Sequence, residues 1–137
     1  MASAAMRNSQ AEPAGRAPGG VASPRGRAGR GGAGMKLLGI LGGMSWASTQ
    51  HLYALLNRDV AARCGGLHSA RLLLHSVDFA PIAAMQAAGD WAGTARVLGE
   101  AAAGLRHAGA EALLIATNTM HRVAPEVEAA SGLPVLH

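Results

Sequence analysis

Glu111-Ala112-Leu113-Leu114-Ile115-Ala116-Thr117-Asn118-Thr119-Met120-His121 changes character halfway along its length. The first half is an apolar run of strand length; the second is a polar cluster ending in an imidazole. An apolar run with a sharp polar switch predicts a buried strand feeding a loop. Downstream, Val123, Val127 and Ala130 recur at helical spacing, so a helix is expected to open near Thr119. Loops at the carboxyl ends of parallel strands are where open α/β sheets take their ligands. Thr117, Asn118, Thr119 and His121 are therefore candidate site residues. Two hydroxyls, a carboxamide and an imidazole within five positions suit a small polar substrate. The competing reading is a helix N-cap, in which Thr or Asn satisfies an orphan backbone N–H and nothing more.

Outward from this stretch, the 137 residues allow one ordinary domain or part of a larger one. The formal charge of +4 suggests nucleic acid until it is divided along the chain. Residues 1–34 hold five arginines (Arg7, Arg16, Arg25, Arg27, Arg30) against one acid, Glu12; residues 35–137 hold seven basic and seven acidic residues. The excess charge belongs to the leader alone. That leader is Ala, Gly, Pro, Ser and Arg with hardly a large apolar side chain, so it cannot offset its ordering entropy and is expected to be disordered. Its Arg-Gly steps are thin evidence for RNA binding, and its glycines and prolines argue against a transit-peptide helix. An upstream extension before a natural start at Met35 is the plainer reading.

One cysteine, Cys64, excludes an internal disulfide and a cysteine-cluster metal site. No apolar run approaches the ~18 residues of a membrane span, and no secretory signal stands at the start. The expectation is a soluble, cytoplasmic protein.

From Met35 the chain alternates. Met35–Leu41 reads as a first strand, then Gly42-Gly43-Met44-Ser45 as a turn. A helix capped at Ser48 or Thr49 follows, with Leu52, Leu55, Leu56 and Val60 as its apolar stripe. It is expected to end near Cys64, before Gly65-Gly66. Ala70–Val77 reads as a second strand; Pro81 suits a short helix through Gln86, and Asp90 caps another that Gly109 ends. Ala112–Ala116 is the third strand, and Gly132–His137 opens a fourth. This order predicts an α/β fold: a parallel four-stranded sheet with helices on both faces. Right-handed crossovers would gather Gly42–Ser45, Ser76–Asp78 and Thr117–His121 at one edge.

Gly39-x-x-Gly42-Gly43 is neither G-x-G-x-x-G nor a Walker loop, so nucleotide binding is disfavoured. Its glycines would instead offer backbone N–H groups and a helix N-terminus to a small carboxylate, or simply make a tight turn. The six histidines show no metal-ligand spacing. The sole lysine, Lys36, precedes the first strand, at the wrong end of the sheet for a pyridoxal phosphate Schiff base. No cofactor is called for.

Several motifs then align in order: Gly42-Gly43-Met44-Ser45-Trp46 with Ser48-Thr49, Leu67-His68-Ser69-Ala70, His75-Ser76-Val77-Asp78-Phe79, Gly89-Asp90-Trp91 and Thr117–His121. Together they resemble the aspartate/glutamate racemase family, in the branch with Thr for the first of two cysteines. The likeness covers 35–137 and only that family's amino-terminal lobe, so the sequence looks truncated at its C-terminus. It implies two pseudo-symmetric α/β lobes and cofactor-independent racemisation by two facing acid–base groups, one from each lobe. By position, Thr117 would be the catalytic group of the first lobe. Asn118, Thr119 and the turn at Met44-Ser45 would hold the α-carboxylate and amino group, and Gln86 would reach the substrate side chain. Ala47 stands where relatives often carry Glu.

Two departures bear on activity. A hydroxyl is a far weaker acid than a thiol of reference pKa about 8.5, so Thr117 can relay a proton but not wait as an anion. The second lobe, with its cysteine, has no counterpart in this sequence, and Cys64 near a helix end cannot replace it. The implied partner is a small amino acid of the aspartate/glutamate kind, not nucleic acid or membrane, with a homodimer as the candidate assembly. The alternative is a non-catalytic fragment that at most binds a small carboxylate.

Overall fold

The computed structural model describes residues 34–137. The expectation of disorder over 1–34 falls, except at Gly34, outside the described residues. Nine elements follow in order: β1 (Leu38–Gly42), α1 (Trp46–Cys64), β2 (Leu72–Ser76), α2 (Phe79–Ala87), α3 (Trp91–His107), β3 (Ala112–Ile115), a 3-10 turn (Asn118–Val123), α4 (Ala124–Ser131) and β4 (Val135–Leu136). The sheet is parallel throughout, in the order β2-β1-β3-β4.

Helices lie on both faces, as the alternation predicts. Residues of opposite parity on β1 look to opposite sides. A Cβ on Gly39 would meet Leu105 of α3, whereas one on Gly42 would meet Thr49 of α1. The main core fills the α3 side. Leu41, Leu113, Ile115 and Val135 of the strands pack there with Leu98, Leu105 and Val127 of the helices.

The α1 side is much more open, and here one expectation fails. Leu52, Leu56 and Val60 are only half-buried and Leu55 is exposed; the buried residue of α1 is Thr49. Ile40 at the centre of the sheet is fully covered, but Leu74 on β2 and Leu136 on β4 stay 51% and 42% exposed. A single helix is about 10 Å wide and strands are spaced under 5 Å, so one helix cannot roof four strands.

Two helix starts also differ from expectation. The N-cap of α1 is Ser45, not Ser48 or Thr49: its Oγ accepts from the Ser48 amide at 3.3 Å. The helix expected near Thr119 begins only at Ala124, after the 3-10 turn. Pro125 supplies the reason. It has no N–H to give to His121, and its ring would clash with that carbonyl in an α-helix. The His121 carbonyl instead accepts from the Ala124 amide, three residues on. Asp90 caps α3 as expected, accepting from the Gly93 amide at 2.8 Å.

Candidate functional site

The chain leaves β1 for β2 on one side, and β3 returns on the other side of β1. Connections therefore diverge between β1 and β3, the topological switch point where open parallel sheets bind ligands. An open cleft of about 420 Å³ lies at that place, lined by Ser48, Leu52, Ile115, Ala116, Thr117, Asn118 and Thr119. Its walls are the start of α1 and the loop after β3.

Thr117 is the second residue beyond β3, with extended backbone (φ −157°, ψ 135°). It holds the N-cap position of the 3-10 turn, yet its side chain makes no capping hydrogen bond. Val123 occupies the N-cap of α4, also without a side-chain cap. The capping role that would explain these threonines is thus not filled by Thr117, and Thr119 lies inside the turn. Asn118 and Thr119 are exposed, while Met120 turns the other way and is buried in the core. Thr117, Asn118 and Thr119 thus line the cleft, and Met120 anchors the loop in the core.

Of the two expectations for the turn after β1, the tight turn fits Gly43 better than backbone N–H groups offered to a carboxylate. Gly43 has φ +93°, and a Cβ there would strike the backbone of Val77. Its amide is already committed, donating to Thr49 Oγ1 at 3.1 Å, and so is not offered to an anion. The Trp46 and Ala47 amides, first in α1, have no acceptor within the helix and are the donors this end can present.

The other candidates are dispersed. Ser45 is half-buried, and its hydroxyl is engaged with Ser48 Oγ at 2.9 Å. The Met44 side chain belongs to the core, 6% exposed, which leaves only its backbone for a ligand. Gln86 on α2 has its Nε2 3.8 Å from Met120 Sδ and does not line the cleft. His121 is not among the residues lining the cleft, and its Nδ1 lies 2.9 Å from Nδ1 of His137. Ser48 and Leu52 join the cleft although they read in sequence as a cap and a core position. Their i, i+4 spacing places them on one helix face, but the neighbour of that face depends on strand order.

Among the described residues, no group of three or more His, Cys, Asp or Glu is placed to hold a metal ion. Nor is any helix there long and apolar enough to cross a membrane.

The geometry defines a parallel α/β protein with an open cleft at its switch point. Residues 41–137 match the model of the Asp/Glu/Hydantoin racemase family, and the chain belongs to that family. It is similar in structure to a Yersinia pestis protein assigned as an Asp/Glu racemase, with 55% identity over 75% of this chain and a TM-score of 0.74. It is also similar to an aspartate racemase homologue from Pyrococcus horikoshii OT3, with 29% identity over 74% of this chain and a TM-score of 0.64. The matches cover 45% and 44% of those two chains, so this chain spans less than half their length.

Proposed function

We propose that this chain is the amino-terminal lobe of an aspartate/glutamate-type racemase that inverts amino acids without a cofactor. One observation supports the reading: Thr117, whose side chain makes no cap, lines the cleft at the switch point with Asn118, Thr119 and Ser48 of α1. In this proposal Asn118, Thr119 and the Trp46 and Ala47 amides hold the α-carboxylate and amino group, and Thr117 exchanges a proton with the α-carbon. Ser45 supports this end by fixing the first turn of α1. Gln86 serves by seating Met120, and the Met44 backbone completes the turn.

Inversion requires a proton removed from one face of the α-carbon and delivered to the other. The cleft supplies one such group, so the second must come from another lobe of a longer protein. A hydroxyl is also a poor resting base, and the two directions of reaction should therefore differ in rate.

A second reading applies to the chain by itself. The cleft is lined by Ser, Leu, Ile, Ala, Thr and Asn, none of which titrates near neutral pH. That composition favours binding of a small carboxylate without turnover. Incubating L-aspartate or L-glutamate in deuterated water and following loss of the α-proton signal separates the two. The 137-residue chain alone should show little or no exchange, and a form carrying the second lobe should exchange readily. Robust exchange by the chain alone would overturn the two-lobe requirement. No exchange by the two-lobed form with either amino acid would overturn the racemase reading.

A further inference from the structure

His121 lies in the 3-10 turn after β3, and His137 directly follows β4. Their Nδ1 atoms approach to 2.9 Å, with ring centroids 4.9 Å apart and planes inclined at 48°. At that separation one imidazole carries its hydrogen on Nδ1 and donates, while the other accepts through a bare Nδ1. Among the described residues no third His, Cys, Asp or Glu joins them to make a metal-binding group.

We propose that this pair is a tether that positions the cleft-lining loop, so that His121 is a positioning residue with its Nδ1 committed to His137. The proposal rests on the racemase reading only for naming that loop as the site. Between Thr117 and His121, Thr117 makes no capping bond and Asn118 and Thr119 are exposed. Met120 and Val123, 1% and 3% exposed, anchor the turn on the core side. Anchors on the core side alone leave the outer edge of the turn free to rock, and an attachment there to another element removes that freedom. The element chosen is itself firmly placed. β4 pairs with β3 through Leu113 with Val135 and Leu114 with Leu136, and the Val135 amide donates to the Glu128 carboxylate. His137 thus extends from a strand in register with the one that ends just before the loop.

Amide hydrogen exchange of residues 118–123 in the full chain, slightly above neutral pH, tests the tether. His121→Ala and His137→Ala should each speed exchange in this turn by roughly three- to tenfold, the range one net neutral hydrogen bond provides. The double variant should be no faster than either single one, because both remove the same bond. Asparagine carries its polar atoms at the δ position, as Nδ1 is, whereas glutamine carries them at ε. His137→Asn should therefore restore slow exchange, and His137→Gln should not. Unchanged exchange in the single variants, multiplied effects in the double one, or equal rescue by Gln and Asn would each overturn the proposal. The measurement contains no amino acid, so its failure would leave the racemase reading untouched.

Discussion

The Gly43 amide donates to the Thr49 hydroxyl at 3.1 Å, and the same hydroxyl donates to the Ser45 carbonyl at 3.0 Å. One buried side chain from the first turn of α1 thereby closes the turn that leads out of β1. Thr49→Val keeps the shape but removes acceptor and donor together, leaving a part-buried amide unsatisfied. The expected loss is about 1–3 kcal/mol, read as a lower urea midpoint. An unchanged midpoint would show that water replaces the hydroxyl at no cost.

Gly43→Ala should be worse. It combines a φ of +93° with a Cβ pressed into the Val77 backbone, where no flexible side chain can give way. Gly66→Ala is the matched control, since nothing lies within 4 Å of its added Cβ. Thermal unfolding should show a large loss for the first variant and a change near zero for the second. Equal effects would mean that the tight approach at Gly43 is not structural.

Thr117 divides function from stability. Because its hydroxyl makes no cap, Thr117→Ala should change stability by no more than about 0.5 kcal/mol, whereas losing an N-cap typically costs ~1 kcal/mol. In a two-lobed form the same substitution should abolish racemisation. Thr117→Cys should bring the rates in the two directions closer together, since a thiol ionises far more readily than a hydroxyl. Intact racemisation in Thr117→Ala, measured by α-proton exchange, would remove the residue from the mechanism.

Pro125 keeps the 3-10 turn from becoming α-helix. Pro125→Ala restores an N–H four residues after His121 and removes the ring clash. Helix α4 should then lengthen toward Asn118, with a small gain in far-ultraviolet helical signal and shifted amide resonances at Asn118 and Thr119. Resonances that stay in place would show that Met120 and the neighbouring packing hold the turn without the proline.

Alternation of apolar runs with helical spacings determined, from sequence alone, that this is a parallel α/β chain of four strands. Asp90 and Gly109 marked the limits of α3, and the polar switch after Ile115 marked the loop of the candidate site. Such signals are local: strand and helix periods, caps and turn residues act over a few positions. Ser45 as the cap and Pro125 as a helix start were also present in the sequence, but stronger-looking neighbours, Ser48 and Thr119, competed for the same roles. Only the tertiary structure decided the order β2-β1-β3-β4, and with it the placing of Ser48 and Leu52 across the cleft from Thr117. It likewise turned Met44 into the core, Gln86 toward Met120 and His121 onto His137. Those outcomes depend on which distant segments become neighbours, and a chain's local periodicity says which face of an element is apolar without saying what that face will meet.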